Sequence, residues 1–198
     1  MNDNPTTGEP HASMAWLQSL SDTLAVTEAK VDGVPVDLQT GLDALLAELT
    51  SARVRGGRIW FAANGGSAAL ASHISQDFVM RCGLSSLVLS DPALMTCAAN
   101  DHGYTQVYAK PLGVHLRTGD LLIAISSSGN SDNILAAVEL ATAQNARVVT
   151  LSAFERDNRL NRHGGAVGFY LPTQNYGVAE IGHEALLHAV IEVAAQQK

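Results

Sequence analysis

Four serines, a glycine and an asparagine stand together in Ser126-Ser127-Ser128-Gly129-Asn130-Ser131. They follow the apolar run 121–125 and precede a helical pattern over 133–144. Where a strand hands over to a helix, the first-turn amides are unpaired and lie at the positive end of the helix dipole. Hydroxyls gathered there suit an anion, above all a phosphate. The same residues also make an ordinary Ser-rich cap and turn. A second loop of this kind, Asn64-Gly65-Gly66-Ser67, follows residues 58–63 and opens another helical pattern. Its glycines let a ligand approach the backbone, and its serine adds a donor.

Histidines and carboxylates recur on two helices. His73 and Asp77 are four residues apart, one turn along a common face. Such a pair can hold a metal, can serve as acid and base, or can be a plain helix-surface hydrogen bond. Near the end of the chain, Glu180, His183, Glu184 and His188 lie among Ile181, Leu186, Leu187 and Val190. Two histidines and two carboxylates within nine residues exceed what an amphipathic core helix needs, though a solvated stripe has the same look. Helical spacing pairs Glu184 with His188, or Glu180 with His183. Glu180 and His188 are roughly 12 Å apart along an ideal helix. His11, His115 and His163 have no such partners and read as surface residues.

Composition narrows the setting for this chemistry. At 198 residues, with 46% hydrophobic and 16% charged, the chain can bury a sizeable core. A net charge of −7 with only 12 Lys and Arg argues against a nucleic-acid footprint, and means that any phosphate is held mainly by neutral donors. The two cysteines, Cys82 and Cys97, form no CxxC pair and suggest no disulfide framework. Residues 1–12 lack the basic-then-apolar layout of a signal peptide, and no apolar run reaches the ~18 residues of a membrane span. The expectation is a cytoplasmic protein that meets no membrane.

The elements that must position these residues follow a rhythm. Residues 1–12 read as a flexible polar tail. A helix is expected over 13–30, ended by Gly33 and Pro35, and a second over 37–54. Short apolar strands then alternate with helices: strands at 58–63, 86–90, 121–125, 147–151 and 166–171. Helices are expected up to residues 81 and 99, over 103–115 with a break at Pro111, over 133–144, briefly over 157–163, and finally over 178–196. Continuous apolar runs mark strands buried on both faces, hence a parallel sheet. The predicted fold is α/β: a three-layer α-β-α sandwich on a five-stranded parallel sheet, with two extra N-terminal helices, forming a single domain over 13–198. Ligands in such folds gather beyond the carboxyl ends of the strands. The loops at 64–67, 100–103 and 126–131 and the turn at 152–158 lie there.

In order and spacing, Phe61-Ala62-Ala63-Asn64-Gly65-Gly66-Ser67, His73 with Asp77, Ala99-Asn100-Asp101-His102-Gly103-Tyr104, the 125–131 loop and the closing Glu180…His188 resemble the sugar-isomerase (SIS) domain. More narrowly, the chain resembles the sedoheptulose 7-phosphate (phosphoheptose) isomerase family over about residues 13–195. The resemblance implies a flavodoxin-like SIS fold and an aldose–ketose isomerase. Such an enzyme makes D-glycero-D-manno-heptose 7-phosphate for surface polysaccharide through an enediol. It also implies a cytoplasmic homotetramer with interface active sites and one Zn2+ per site. Carried over by position, Ser126, Ser127, Ser128 and Ser131 hold the phosphate, with Asn64, Gly65, Gly66 and Ser67 beside them. Asn100, Asp101 and Glu180 meet the sugar. His73, Asp77, Glu180 and His188 are the metal ligands, with Asp77 as base and His188 as acid.

Three positions depart from better-known members: Asp77 stands for Glu, Glu180 for Gln, and Gly177 often for Asp. The Asp77 and Glu180 changes read as one compensated exchange. His183 and Glu184 are held as replacement ligands; Glu180 reaches the metal either through an irregular helix start, which Gly177 allows, or with the metal lying between the long side chains of Glu180 and His188. The alternatives are an isomerase of another ketose phosphate, or a non-catalytic SIS protein that binds a sugar phosphate or attends a replication initiator.

Overall fold

The computed structural model describes residues 12–197; the tail expected over 1–12 falls outside these, except that Ala12 already opens the first helix. In chain order the elements are α1 (Ala12–Ala25), β1 (Glu28–Val31), β2 (Val34–Val36), α2 (Leu38–Val54), β3 (Ile59–Ala63), α3 (Gly65–Met80), β4 (Ser86–Val88), α4 (Pro92–His102), α5 (Ala109–His115), β5 (Leu121–Ser126), α6 (Asp132–Ala143), β6 (Arg147–Ala153), α7 (Arg159–His163), β7 (Val167–Leu171) and α8 (Tyr176–Ala194). Local chemistry sets several boundaries. The Asp37 carboxylate accepts from Thr40 N at 2.9 Å and caps α2. Asp91 does the same for Leu94 N at 2.8 Å, with Pro92 at the first helical position of α4. Pro111 does not break a helix as expected. It lies in the first turn of α5, where no backbone N–H is needed.

The sheet has seven strands in the order β2-β1-β7-β6-β5-β3-β4. The sequence reading gave five, all parallel. Those five are β3 to β7, which pair in parallel in the order β4-β3-β5-β6-β7. The other two form an antiparallel hairpin that extends the β7 edge. This hairpin replaces the end of the helix expected over 13–30. Its turn is Asp32-Gly33, with φ of +47° and +80°, the positive pair that a tight two-residue hairpin turn requires. Pro35 is tolerated because β2 is an edge strand.

Two cores flank the sheet. Phe61, Ile123, Leu151 and Phe169 point to one face, where they meet Leu45 and Leu49 of α2, Ile74 and Phe78 of α3 and Leu187 of α8. Trp60, Leu122, Ala124 and Val148 point to the other, against Leu112, Ile134, Val138 and Leu160. Helices α3 and α6 therefore leave neighbouring strands β3 and β5 toward opposite faces. That is the topological switch point, where a crevice opens beyond the strand ends.

The bottom of the same strand pair is tied by Asp120. Its buried carboxylate accepts from Arg58 N (2.8 Å), Trp60 Nε1 (2.9 Å) and Arg117 N (2.9 Å). Asp120→Ala strands these donors in a low-dielectric core and is expected to lower unfolding free energy by about 3 kcal/mol or more, read as a shift in the urea midpoint.

Candidate functional site

The two loops meet because β3 and β5 pair in parallel with Ala63 opposite Ile125. This register sets Asn64 beside the start of the serine loop. Two amides then join the loops: Asn64 Nδ2 donates to Asn133 Oδ1 (2.9 Å), and Asn133 Nδ2 donates back to Asn64 Oδ1 (2.8 Å). The Tyr108 hydroxyl donates to the Ala63 carbonyl just before the loop, and Tyr104 donates to Asn64 Oδ1 at 3.3 Å. In the serine loop, Gly129 turns the chain at φ +63° and donates from its N–H to Ser126 O at 2.9 Å. A Cβ at Gly129 would also collide with the Asn158 carboxamide, so only glycine fits. Ser126 Oγ lies 3.2 Å from Ser131 Oγ and 3.4 Å from Ser128 Oγ, so three hydroxyls converge.

Around them is a cavity of about 240 Å³, bounded by residues 64–67, 125–128, Ser131, Tyr176 and Glu180. The amino ends of α3 and α6 both open into it. Among the described residues no Lys or Arg stands in its walls. An anion here is met by hydroxyls, backbone amides and two helix dipoles.

Two turns along α8 from Glu180, a second cluster forms around His188. His73 Nε2 lies 3.2 Å from His188 Nε2. Asp77 Oδ2 lies 3.8 Å from His188 Nδ1, on the other side of that ring. Ligand atoms of His73, Asp77 and His188 all fall within 4.8 Å of one another. Asp77 is buried and ion-paired to Arg81 at 3.3 Å, and Arg81 is held in turn by Glu192 at 2.7 Å. Glu184 Oε1 stands 4.0 Å from both His73 Nε2 and His188 Nε2.

The expected residues thus divide. Asn64, Gly65, Gly66, Ser67, Ser126, Ser127, Ser128 and Ser131 come together at the cavity. Glu180 joins them and stays out of the histidine cluster: a methyl group at Gly66 would fall 2.5 Å from Glu180 Oε1. Its carboxylate is drawn to the amino end of α3. The irregular helix start expected at Gly177 is absent, because α8 is regular from Tyr176. Asn100 and Asp101 are exposed at the end of α4, outside the cavity walls. There the Asn100 amide donates to Asp101 at 2.8 Å and, with Cys97, holds its carboxyl below the ordinary range. Tyr176 and Asn133 were missed. Tyr176 carries no periodic signal, and Asn133 reads as a helix-start residue until β3 and β5 are placed side by side.

A profile of the SIS domain matches residues 25–153. The phosphoheptose isomerase of Fusobacterium nucleatum is 31% identical over 150 residues, covering 73% of this chain and 76% of that protein. The chain belongs to the SIS-domain phosphoheptose isomerase family. Among solved structures, the phosphoheptose isomerase GmhA from Neisseria gonorrhoeae aligns with a TM-score of 0.78 at 25% identity, covering 92% of this chain and 95% of that one. One from Francisella tularensis shares the fold at a TM-score of 0.79 and 22% identity, covering 94% and 95%. Within this family fold, His183 is a core residue and no replacement ligand. It is fully buried, and its Nε2–H donates to the Ser152 carbonyl at 3.2 Å. Its Nδ1 finds no partner among the described residues.

Burial pushes the His183 pKa down from 6.5 to about 4. The unfolded chain therefore takes up this proton first as pH falls. The neutral imidazole costs nothing above pH 6.5, and stability then drops as pH goes from 6.5 toward 4, by about 3 kcal/mol at the end of that window. Urea midpoints measured across it should fall for the native chain and fall less steeply for His183→Asn.

Proposed function

We propose that this chain interconverts sedoheptulose 7-phosphate and D-glycero-D-manno-heptose 7-phosphate, as an aldose–ketose isomerase built on a single SIS domain. The observation that carries this reading is the pairing of two sites along α8. A cation-free anion pocket at Glu180 lies two turns from a His73–Asp77–His188 cluster. A second groove, lined by Gly66, His73, Glu180 and Glu184, shares Gly66 and Glu180 with the pocket and His73 with the cluster. The names of the relatives supply the sugar; the cavity supplies the reason for a phosphate. A sensor of sugar phosphates needs the first site and has no use for the second.

The phosphate end is bound by Ser126, Ser128, Ser131 and Ser67 and by the first-turn amides of α3 and α6. Binding energy taken at this remote group positions the carbonyl end without taking part in the reaction. The reaction moves one proton between adjacent carbons and one between their oxygens, through an enediol. By resemblance Asp77 removes the proton and His188 delivers one. In this chain Asp77 lies behind His188 and under Arg81, away from both cavities. We assign it to orienting His188. We assign the proton on carbon to Glu180, because its carboxylate lines both cavities.

The residues also suit a divalent cation, zinc by resemblance. Two imidazole nitrogens 3.2 Å apart match the roughly 3.3 Å edge of a tetrahedral site with 2.0 Å bonds. His73 and His188 would hold it, and it would polarise the carbonyl being converted. The homotetramer, interface sites, contacts of Asn100 and Asp101 with sugar, cytoplasmic setting and surface-polysaccharide pathway belong to the same proposal. Among the described residues, no helix is long and apolar enough to cross a membrane.

Incubation of the metal-loaded protein with ketose phosphates in deuterated water tests the reading. Solvent deuterium should enter sedoheptulose 7-phosphate. Exchange into fructose 6-phosphate alone would change the assigned sugar, and no exchange into any ketose phosphate would overturn the isomerase reading. His188→Ala should lower exchange at least about 1,000-fold while inorganic phosphate still competes for the pocket.

A further inference from the structure

We infer that Glu184 is the carboxylate ligand of the cation held by His73 and His188, in place of Glu180. This rests on the isomerase reading above and specifies its metal site. The His188 ring can give a cation one nitrogen only. Its Nδ1 faces Asp77, and its Nε2 faces His73 Nε2 at 3.2 Å. A carboxylate beside Nδ1 favours the tautomer with the proton there, which leaves the Nε2 lone pair free. The ring is then set as histidines at metal centres are: one nitrogen to the metal, the other to an outer carboxylate. Asp77 is fixed in that outer position by Arg81, and Arg81 by Glu192.

The side of the ring that carries Nε2 faces Glu184. Glu184 Oε1 is equidistant, 4.0 Å, from the His73 and His188 Nε2 atoms. Nε2, Nε2 and Oε1 form an isosceles triangle with edges of 3.2, 4.0 and 4.0 Å. Closing the two longer edges to the roughly 3.3 Å of a tetrahedral site asks a half-buried Glu oxygen to move about 0.8 Å. Glu184 is also four residues before His188, so a regular helix presents both on one face. Glu180 is a further turn away, with its carboxylate against Gly66 at the amino end of α3. A three-ligand His73–His188–Glu184 set leaves an open position for substrate and leaves Glu180 unliganded.

The test titrates the metal-free protein with Co2+, following visible absorbance and competing with a chelator. Glu184→Gln should bind Co2+ at least about 100-fold more weakly and lose the tetrahedral spectrum, Glu184→Asp should fall between, and Glu180→Gln should stay within about threefold of the native chain. Circular dichroism checks that each variant is folded. Native affinity and spectrum in Glu184→Gln, or loss of Co2+ in Glu180→Gln instead, would overturn the inference. Failure of the native chain to bind Co2+ would overturn it too. Deuterium exchange measured on the same samples separates these results from failure of the isomerase reading, because the reaction can persist when the ligand assignment falls.

Discussion

The parallel pairing of β3 with β5 is the constraint on which the site depends. It places Asn64 next to the serine loop, and it sends α3 and α6 to opposite faces while leaving their amino ends together. The reciprocal Asn64–Asn133 amide pair locks the two ends in register. Two helix dipoles and three converging hydroxyls then favour an anion, with no Lys or Arg among the described residues of the walls. A phosphate held by neutral donors is not tied down by strong ion pairs, which suits a substrate that must leave.

Helix α8 carries the second half of the design. Its regular spacing assigns its polar residues to separate tasks at successive turns: Glu180 at the phosphate cavity, His183 in the core, Glu184 and His188 at the histidine cluster. Asp77, shorter by a methylene than the Glu of better-known members, is held by Arg81 on the far side of His188. The Asp77 and Glu180 changes thus occupy different sides of one site. Asp77 lies against the Nδ1 side of His188, and Glu180 faces the cavities.

Much of this was legible in the sequence because it is local. Unbroken apolar runs located the five parallel strands, and the Asn-Gly-Gly-Ser and serine loops marked the crevice. The Asp32-Gly33 hairpin is not: Gly33 and Pro35 look like helix breakers, because the four residues of β1 are too short to show alternation. What was not legible needed tertiary contact. Asn133 and Tyr176 acquire roles only across the crevice, and His183 looks like any other polar residue on α8 until Ser152 is found above it. The regular start of α8 is likewise visible only in the structure. Helical spacing favoured Glu184, and the family resemblance favoured Glu180.

In this reading, phosphate binding at the β3–β5 crevice positions the sugar for the chemistry along α8, and Glu180 borders both. This positioning is tested most directly by comparing kcat/KM for sedoheptulose 7-phosphate with that for unphosphorylated sedoheptulose, in the native chain and in Ser128→Ala. The account predicts that the phosphate raises kcat/KM by at least about 1,000-fold in the native chain, and that Ser128→Ala shrinks this advantage while leaving the unphosphorylated sugar unaffected. Equal turnover of the two sugars, or equal loss on both in the variant, would contradict it.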